Sequence, residues 1–316
     1  QQIVPGATLI IEPGTEVRVA PGVSIFVEGT LFGIGEPGNP VRFVGSESQR
    51  WEGIFGRGGS NIAIEHAEIR GGGAGGTVLT SEGGNLVMRG VHVYDNGGHI
   101  AASNSRLEFR DNEISGNDMP YGAAVEVTYE NGGYVTMTGN RIGGNRMAPG
   151  APPVQINNQS STDAVVLDLQ GNLLVGQDGP DLVLFQDGPF LGGLDVRLPD
   201  AGPFVGAMTC NALLSGANGL SIRSNTTQVP RLNLNVRDNA IEDHSPPIVP
   251  IYTQPYNGIG RGATSEIEID MTNNWWDSPQ GPYEPDRHGD GRGDAVGDMI
   301  NFAPWLTSRP ACAPTR

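Results

Sequence analysis

The stretch Met137-Thr138-Gly139-Asn140-Arg141-Ile142 decides how this chain folds, because its frame keeps returning: apolar, two residues, Asn, one residue, apolar. The same frame stands at 109–114 around Asn112, 169–174 around Asn172, 208–213 around Asn211, 236–241 around Asn239 and 271–276 around Asn274. Two earlier copies, at 64–69 and 88–93, keep the apolar frame and place Ala67 and Val91 where the Asn would be. The step between copies is 21 residues from Val91 to Asn112 and 39 from Asn172 to Asn211. A fixed phrase with elastic gaps is what stacked coils with variable loops produce.

Apolar residues alternating about each Asn suit short strands whose every second side chain points inward. The Asn is expected at the bend between two strands, since Asn tolerates left-handed backbone angles and bonds nearby backbone. Coils stacked at about 4.8 Å would align equivalent side chains, so Asn112, Asn140, Asn172, Asn211, Asn239 and Asn274 are expected to form an amide ladder. The pattern therefore predicts an all-β, right-handed parallel β-helix of about nine to eleven coils. An antiparallel sandwich also has many short strands, but nothing in it would hold Asn in one frame six times. The expected core includes Ile64, Val93, Phe109, Ile114, Met137, Ile142, Leu169, Leu213, Val236 and Ile241. The earliest part uses other words for the same architecture: apolar strands at 9–11, 17–19 and 23–27 are separated by the Pro13-Gly14 and Pro21-Gly22 corners. No stretch carries an extended 3.6-residue period, so almost no helix is expected.

Residues 9–54 resemble the opening of bacterial secreted right-handed β-helix proteins of the pectate-lyase-like superfamily. The segment Asn274-Trp275-Trp276-Asp277-Ser278-Pro279-Gln280-Gly281-Pro282, continued at 301–306, resembles their closing coil. The resemblance implies the β-helix fold and an extracytoplasmic setting, secreted or at the cell surface. It leaves activity open, because such folds carry lyases, hydrolases, adhesins and scaffolds alike. The expected organisation is a β-helix over 1–306 and a Pro-rich tail over 307–316.

The enzymes of that superfamily imply particular residues, and this chain lacks them. The hydrolases resemble one another in an Asp pair, a Gly-His-Gly and an Arg-x-Lys; here there is no Asp-Asp, no Gly-His-Gly and no Lys at all. The lyase motif Arg-x-Pro-x-x-Arg begins at Arg197-Leu198-Pro199 but has Gly202 in place of its second Arg. Without Lys, Schiff-base and lysine-base chemistry is excluded as well. The sequence reading therefore leans away from catalysis. Paired carboxylates among Glu65, Glu68, Glu108, Asp111 and Glu113 are the residual enzymatic expectation, since glycoside chemistry needs two about 5–9 Å apart. His66 and His92 could form a surface pair on neighbouring coils.

A net charge of −16 argues against nucleic acid or an anionic membrane as partner, and no apolar run is long enough to span a bilayer. The opening at Gln1 suits a mature chain whose signal peptide has been removed. Cys210 and Cys312 permit a disulfide, within one chain or between chains. Acidic residues at every fourth position, Asp286, Asp290, Asp294 and Asp298, are separated by Gly and could present oxygens to Ca²⁺. Their spacing departs from the EF-hand, and turn formation explains the same residues.

Two functions remain. One is a non-catalytic structural protein: the chain goes straight into strand where an amphipathic capping helix usually plugs the first coil, so an open end would invite end-to-end assembly into filaments or a surface layer. The other is a carbohydrate-active enzyme or polysaccharide-binding module, using insertions at 146–165 and 177–207 with Phe185, Phe190 and Phe204 to stack on sugars.

Overall fold

The computed structural model describes residues 1–46, 49–186, 202–224, 232–244 and 261–316. Every pairing between the strands of its three main sheets is parallel, and no helix occurs among the described residues. The coils form a right-handed parallel β-helix. They divide into two compact units, residues 1–128 with 133–148, and residues 129–132 with 149–316.

The first unit winds six coils, each contributing one strand to each of three sheets. The first sheet stacks Gln2–Ile3, Ser24–Val27, Gly53–Gly56, Thr77–Glu82, His99–Ser103 and Val125–Tyr129. The second begins with Thr8–Ile11 and Thr30–Ile34, the third with Glu16–Val19 and Val41–Gly45. Strict alternation makes the core a set of columns. Leu9, Leu31, Ile62, Leu86, Leu107 and Val135 stand in register on the second sheet. Val17, Phe43, Ile69, Val93, Ile114 and Ile142 do so on the third. All ten core residues read from the sequence are buried, none more than 4% exposed.

In the second unit, Val154–Asn158, Pro180–Gln186, Asn218–Ser224, Arg261–Ser265 and Gly293–Val296 follow one another in the first sheet. Val165–Gln170, Phe204–Thr209 and Asn233–Arg237 make the second, and Leu173–Val175, Ala212–Leu214 and Ala240–Glu242 the third. The closing strands Ile269–Asp270 and Ile300–Asn301 pair with each other.

The Asn ladder is present within each unit. Asn112 donates through Nδ2 to Asn140 Oδ1 (2.9 Å) and to the Met88 carbonyl (3.0 Å), and its own Oδ1 accepts from the Val91 amide. Asn172, Asn211, Asn239 and Asn274 continue the same pattern, each Nδ2 reaching the next Oδ1 at 2.9 Å. The left-handed residue, however, is not the Asn but the one before it: Asp111 (φ 52°), Cys210 (φ 58°), Asp238 (φ 58°) and Asn273 (φ 57°), with glycine at 90, 139 and 171. That bend turns the following Asn inward, where backbone strain would be wasted on a side chain already fixed by several hydrogen bonds.

Candidate functional site

The outward faces show what happens to the charged side chains. On the second sheet Arg89 lies between Glu65 (2.8 Å) and Glu108 (2.7 Å), and Arg110 also meets Glu108 (2.9 Å). The hydrogen bond from Arg89 holds the Glu108 carboxyl below its ordinary range. On the third sheet Glu68 takes the Tyr94 hydroxyl (3.1 Å) and lies 3.5 Å from Arg42. These carboxylates are thus partnered by arginine or tyrosine rather than by one another. His66 occupies a left-handed bend (φ 44°), while His92 lies on a strand in register with Glu68 and Glu113 and stacks on Tyr94, so the two histidines do not pair.

One histidine–carboxylate cluster does form, in the second unit. His244 Nε2 meets Asp181 at 2.7 Å and its Nδ1 meets Asp294 at 2.5 Å. Burial alone would lower the His244 pKa, but the two carboxylates outweigh it and raise it to about 10. Burial pushes Asp181 up to about 7, against His244 and the Gly176 amide that it accepts at 2.7 Å. Asp294 is raised by burial too. The side chains are 0%, 0% and 5% exposed, so this trio is sealed from solvent and ties coils together.

Asp294 is therefore used up inside, whereas Asp286, Asp290 and Asp298 are exposed. Among the described residues no group of three or more His, Cys, Asp or Glu side chains could hold a metal ion, so the four aspartates are not gathered around one. The segment instead locks the closing coil. Arg287 binds Glu284 and the carbonyls of Ile300 and Gly297, and the His288 ring stacks on Trp305 with centroids 4.6 Å apart.

Cys210 and Cys312 are joined within the chain, their Cα atoms 5.3 Å apart. Cys210 sits at a left-handed bend, which turns its sulfur outward to meet the tail. The tail is not free. Ala313 packs against Leu173, Ala212, Leu214 and Ala240, and Arg309 reaches Glu242 at 3.0 Å and the carbonyls of Ala313 and Pro314. Cys312 therefore has no thiol with which to lock a joint between copies, and the tail covers an apolar outer face that the sequence reading overlooked.

Of the proposed sugar-stacking aromatics, Phe204 is fully buried in the core and Phe185 is a half-buried strand residue beside Arg223; Phe190 and the 197–199 motif lie outside the described residues. A groove of about 500 Å³ is lined by Asp178, Ser221, Arg223, Arg261, Thr264 and Glu266. One other feature went unread. A second buried ladder runs Asn96–Asn117–Asn145, Nδ2 to Oδ1 at 3.0 and 2.8 Å. Its signal was in the sequence, an Asn five residues after positions 91, 112 and 140.

The remaining feature is the first coil. Gln2–Ile3, Thr8–Ile11 and Glu16–Val19 are each paired on one side only within their unit. Leu9 belongs to the same core column as Leu31, yet Leu31 is 0% exposed and Leu9 43%. No described residue stacks over it. A depression of about 800 Å³ opens there, with Ile3, Ile11, Val19, Ile25, Leu31 and Phe43 in its lining, and Val4 (51%) and Ile10 (65%) stand exposed beside it.

A sequence model described as right handed beta helix region matches residues 43–168. The chain is a right-handed parallel β-helix protein. The match lies mostly in the first unit, and an Asn ladder of the same pattern recurs within the second unit from Asn172 onward. No characterised protein and no solved structure matches the chain. No helix among the described residues is long and apolar enough to cross a membrane.

Proposed function

We propose that this β-helix is a non-catalytic structural protein, secreted or displayed at a cell surface. The observation that carries the reading is the state of its charged groups: the outward carboxylates Glu65 and Glu108 are held by Arg89, and the His244 trio is sealed from solvent.

The groove of about 500 Å³ favours the carbohydrate reading as the alternative. Incubation with a panel of acidic polysaccharides discriminates, since product release abolished by Glu266→Gln would establish an enzyme there.

A further inference from the structure

The chain has four Asn-Gly pairs, at 96–97, 131–132, 218–219 and 257–258, and the fold treats them differently. We propose that Asn131-Gly132 is a site of spontaneous backbone modification, at which the asparagine converts to aspartate and isoaspartate through a cyclic imide, while the other described pairs are protected. The reaction needs an asparagine side chain free to swing onto the next backbone nitrogen. It also needs that N–H unheld, and a following residue with no side chain to block the approach.

Asn131 meets all three conditions. It is exposed, at the corner between the strands Val125–Tyr129 and Gly133–Thr138. Among the described residues, neither its side chain nor the Gly132 amide has a hydrogen-bond partner. Gly132 cannot give way to a residue that would shield the nitrogen: its φ is 77° less than a right angle short of nothing but the left-handed region, at 70°, and a β-carbon there would come within 2.6 Å of the Ala164 carbonyl oxygen. The fold thus requires the glycine that makes its neighbour reactive, while no contact requires the asparagine. Asn96, by contrast, is 0% exposed; its Nδ2 donates to the Ile69 and Tyr94 carbonyls at 2.9 Å, and the Gly97 N–H donates to the Gly72 carbonyl at 2.8 Å. Asn218 opens the strand Asn218–Ser224, with Gly219 buried against Gly262 and His244. The pair at 257–258 lies outside the described residues.

The reaction consumes only water. Hydroxide takes the proton of the Gly132 nitrogen, which then bonds to Asn131 Cγ; the Cγ–Nδ2 bond breaks, and Nδ2 leaves as ammonia after taking up a proton. A water molecule opens the five-membered imide at either carbonyl. Opening at Cγ gives aspartate; opening at the backbone carbonyl gives isoaspartate, whose main chain runs through Cβ and Cγ. Either product adds a carboxylate to a corner that already carries the exposed Glu130 and Asp163, where like charges repel. The longer isoaspartate chain also disturbs the close approach of Gly132 to Ala164.

The experiment incubates the intact protein in warm, mildly alkaline buffer and follows it by isoelectric focusing and by mass spectrometry of its arginine-bounded peptides, Asn131 lying in the one from 111 to 141. Conversion at Asn131 should run more than about tenfold faster than at Asn96 or Asn218, which react only through local opening. It should also add an acidic band. Asn131→Gln, at an exposed corner position, should stay folded by circular dichroism and lose that band. In urea strong enough to unfold the chain, the three rates should converge, because the fold alone separates them. An Asn131 that stays unconverted in the folded protein while the unfolded chain reacts would overturn the proposal, as would three sites converting at one rate in the folded protein.

Discussion

Replacing Asn239 with Leu removes an inner rung of the second unit's ladder. The side chain is 1% exposed; its Oδ1 accepts from the Asn211 amide and from Asn211 Nδ2, both at 2.9 Å, and its Nδ2 donates to the Met208 carbonyl and to Asn274 Oδ1. Asn274 Oδ1 keeps the backbone amide of residue 239 and Asn211 Nδ2 keeps the Leu169 carbonyl, so two donors, the Asn211 N–H and one amide hydrogen, are stranded outright. At about 1–3 kcal/mol for each buried group left unpartnered, the substitution should cost about 2–6 kcal/mol. With a urea slope of about 1–3 kcal/mol/M, that is a midpoint lowered by about 2 M. Trp275, Trp276 and Trp305 report unfolding of this unit by fluorescence, while Trp51 belongs to the other. Asn235→Leu, exposed on the same coil, is the control and should change stability by less than about 0.5 kcal/mol. If Asn239→Leu unfolds within about 1 kcal/mol of wild type, the ladder is decoration and the reasoning fails.

Other outcomes follow from the same geometry. Asn117→Leu should cost about 1–3 kcal/mol in the first unit, because it strands the Asn96 backbone amide (3.0 Å) while Asn96 Nδ2 keeps the Ile69 and Tyr94 carbonyls, measurable through Trp51. Stability should fall as pH rises from 7 to 9: the folded pKa of His244, about 10, lies above its ordinary 6.5, so its contribution is complete below pH 6.5 and drains away toward pH 10, by at most about 1.4 kcal/mol per pH unit. The Asp181 carboxyl, raised to about 7, acts in the same direction below that pH, the raised Asp294 carboxyl has the same sign, and a melting temperature that climbs between pH 7 and 9 would contradict the trio. Cys312→Ser should destabilise the second unit by about 2–4 kcal/mol, since the bond closes a separation of 102 residues, and should leave the oligomeric state unchanged on gel filtration.

What was legible in the sequence was periodic. A frame that returns six times states which side chains face inward, and every core residue named from it is buried. The bend was misplaced by one position because Asn and its predecessor both suit left-handed angles, and only the backbone shows that Asp111, Cys210 or a glycine takes the strain. The His244 trio was invisible because its members lie 50 and 63 residues apart, joined by coil stacking rather than by any local spacing. The aspartate series at 286–298 is not gathered because its backbone is irregular: Asp286 and Asp290 lie on turns, whereas Asp294 lies on the strand Gly293–Val296 and points inward to His244. The tail looked free because Pro and Ala carry no periodicity, yet Ala313 is small enough to sit on Leu173 and Leu214 once the disulfide delivers it there.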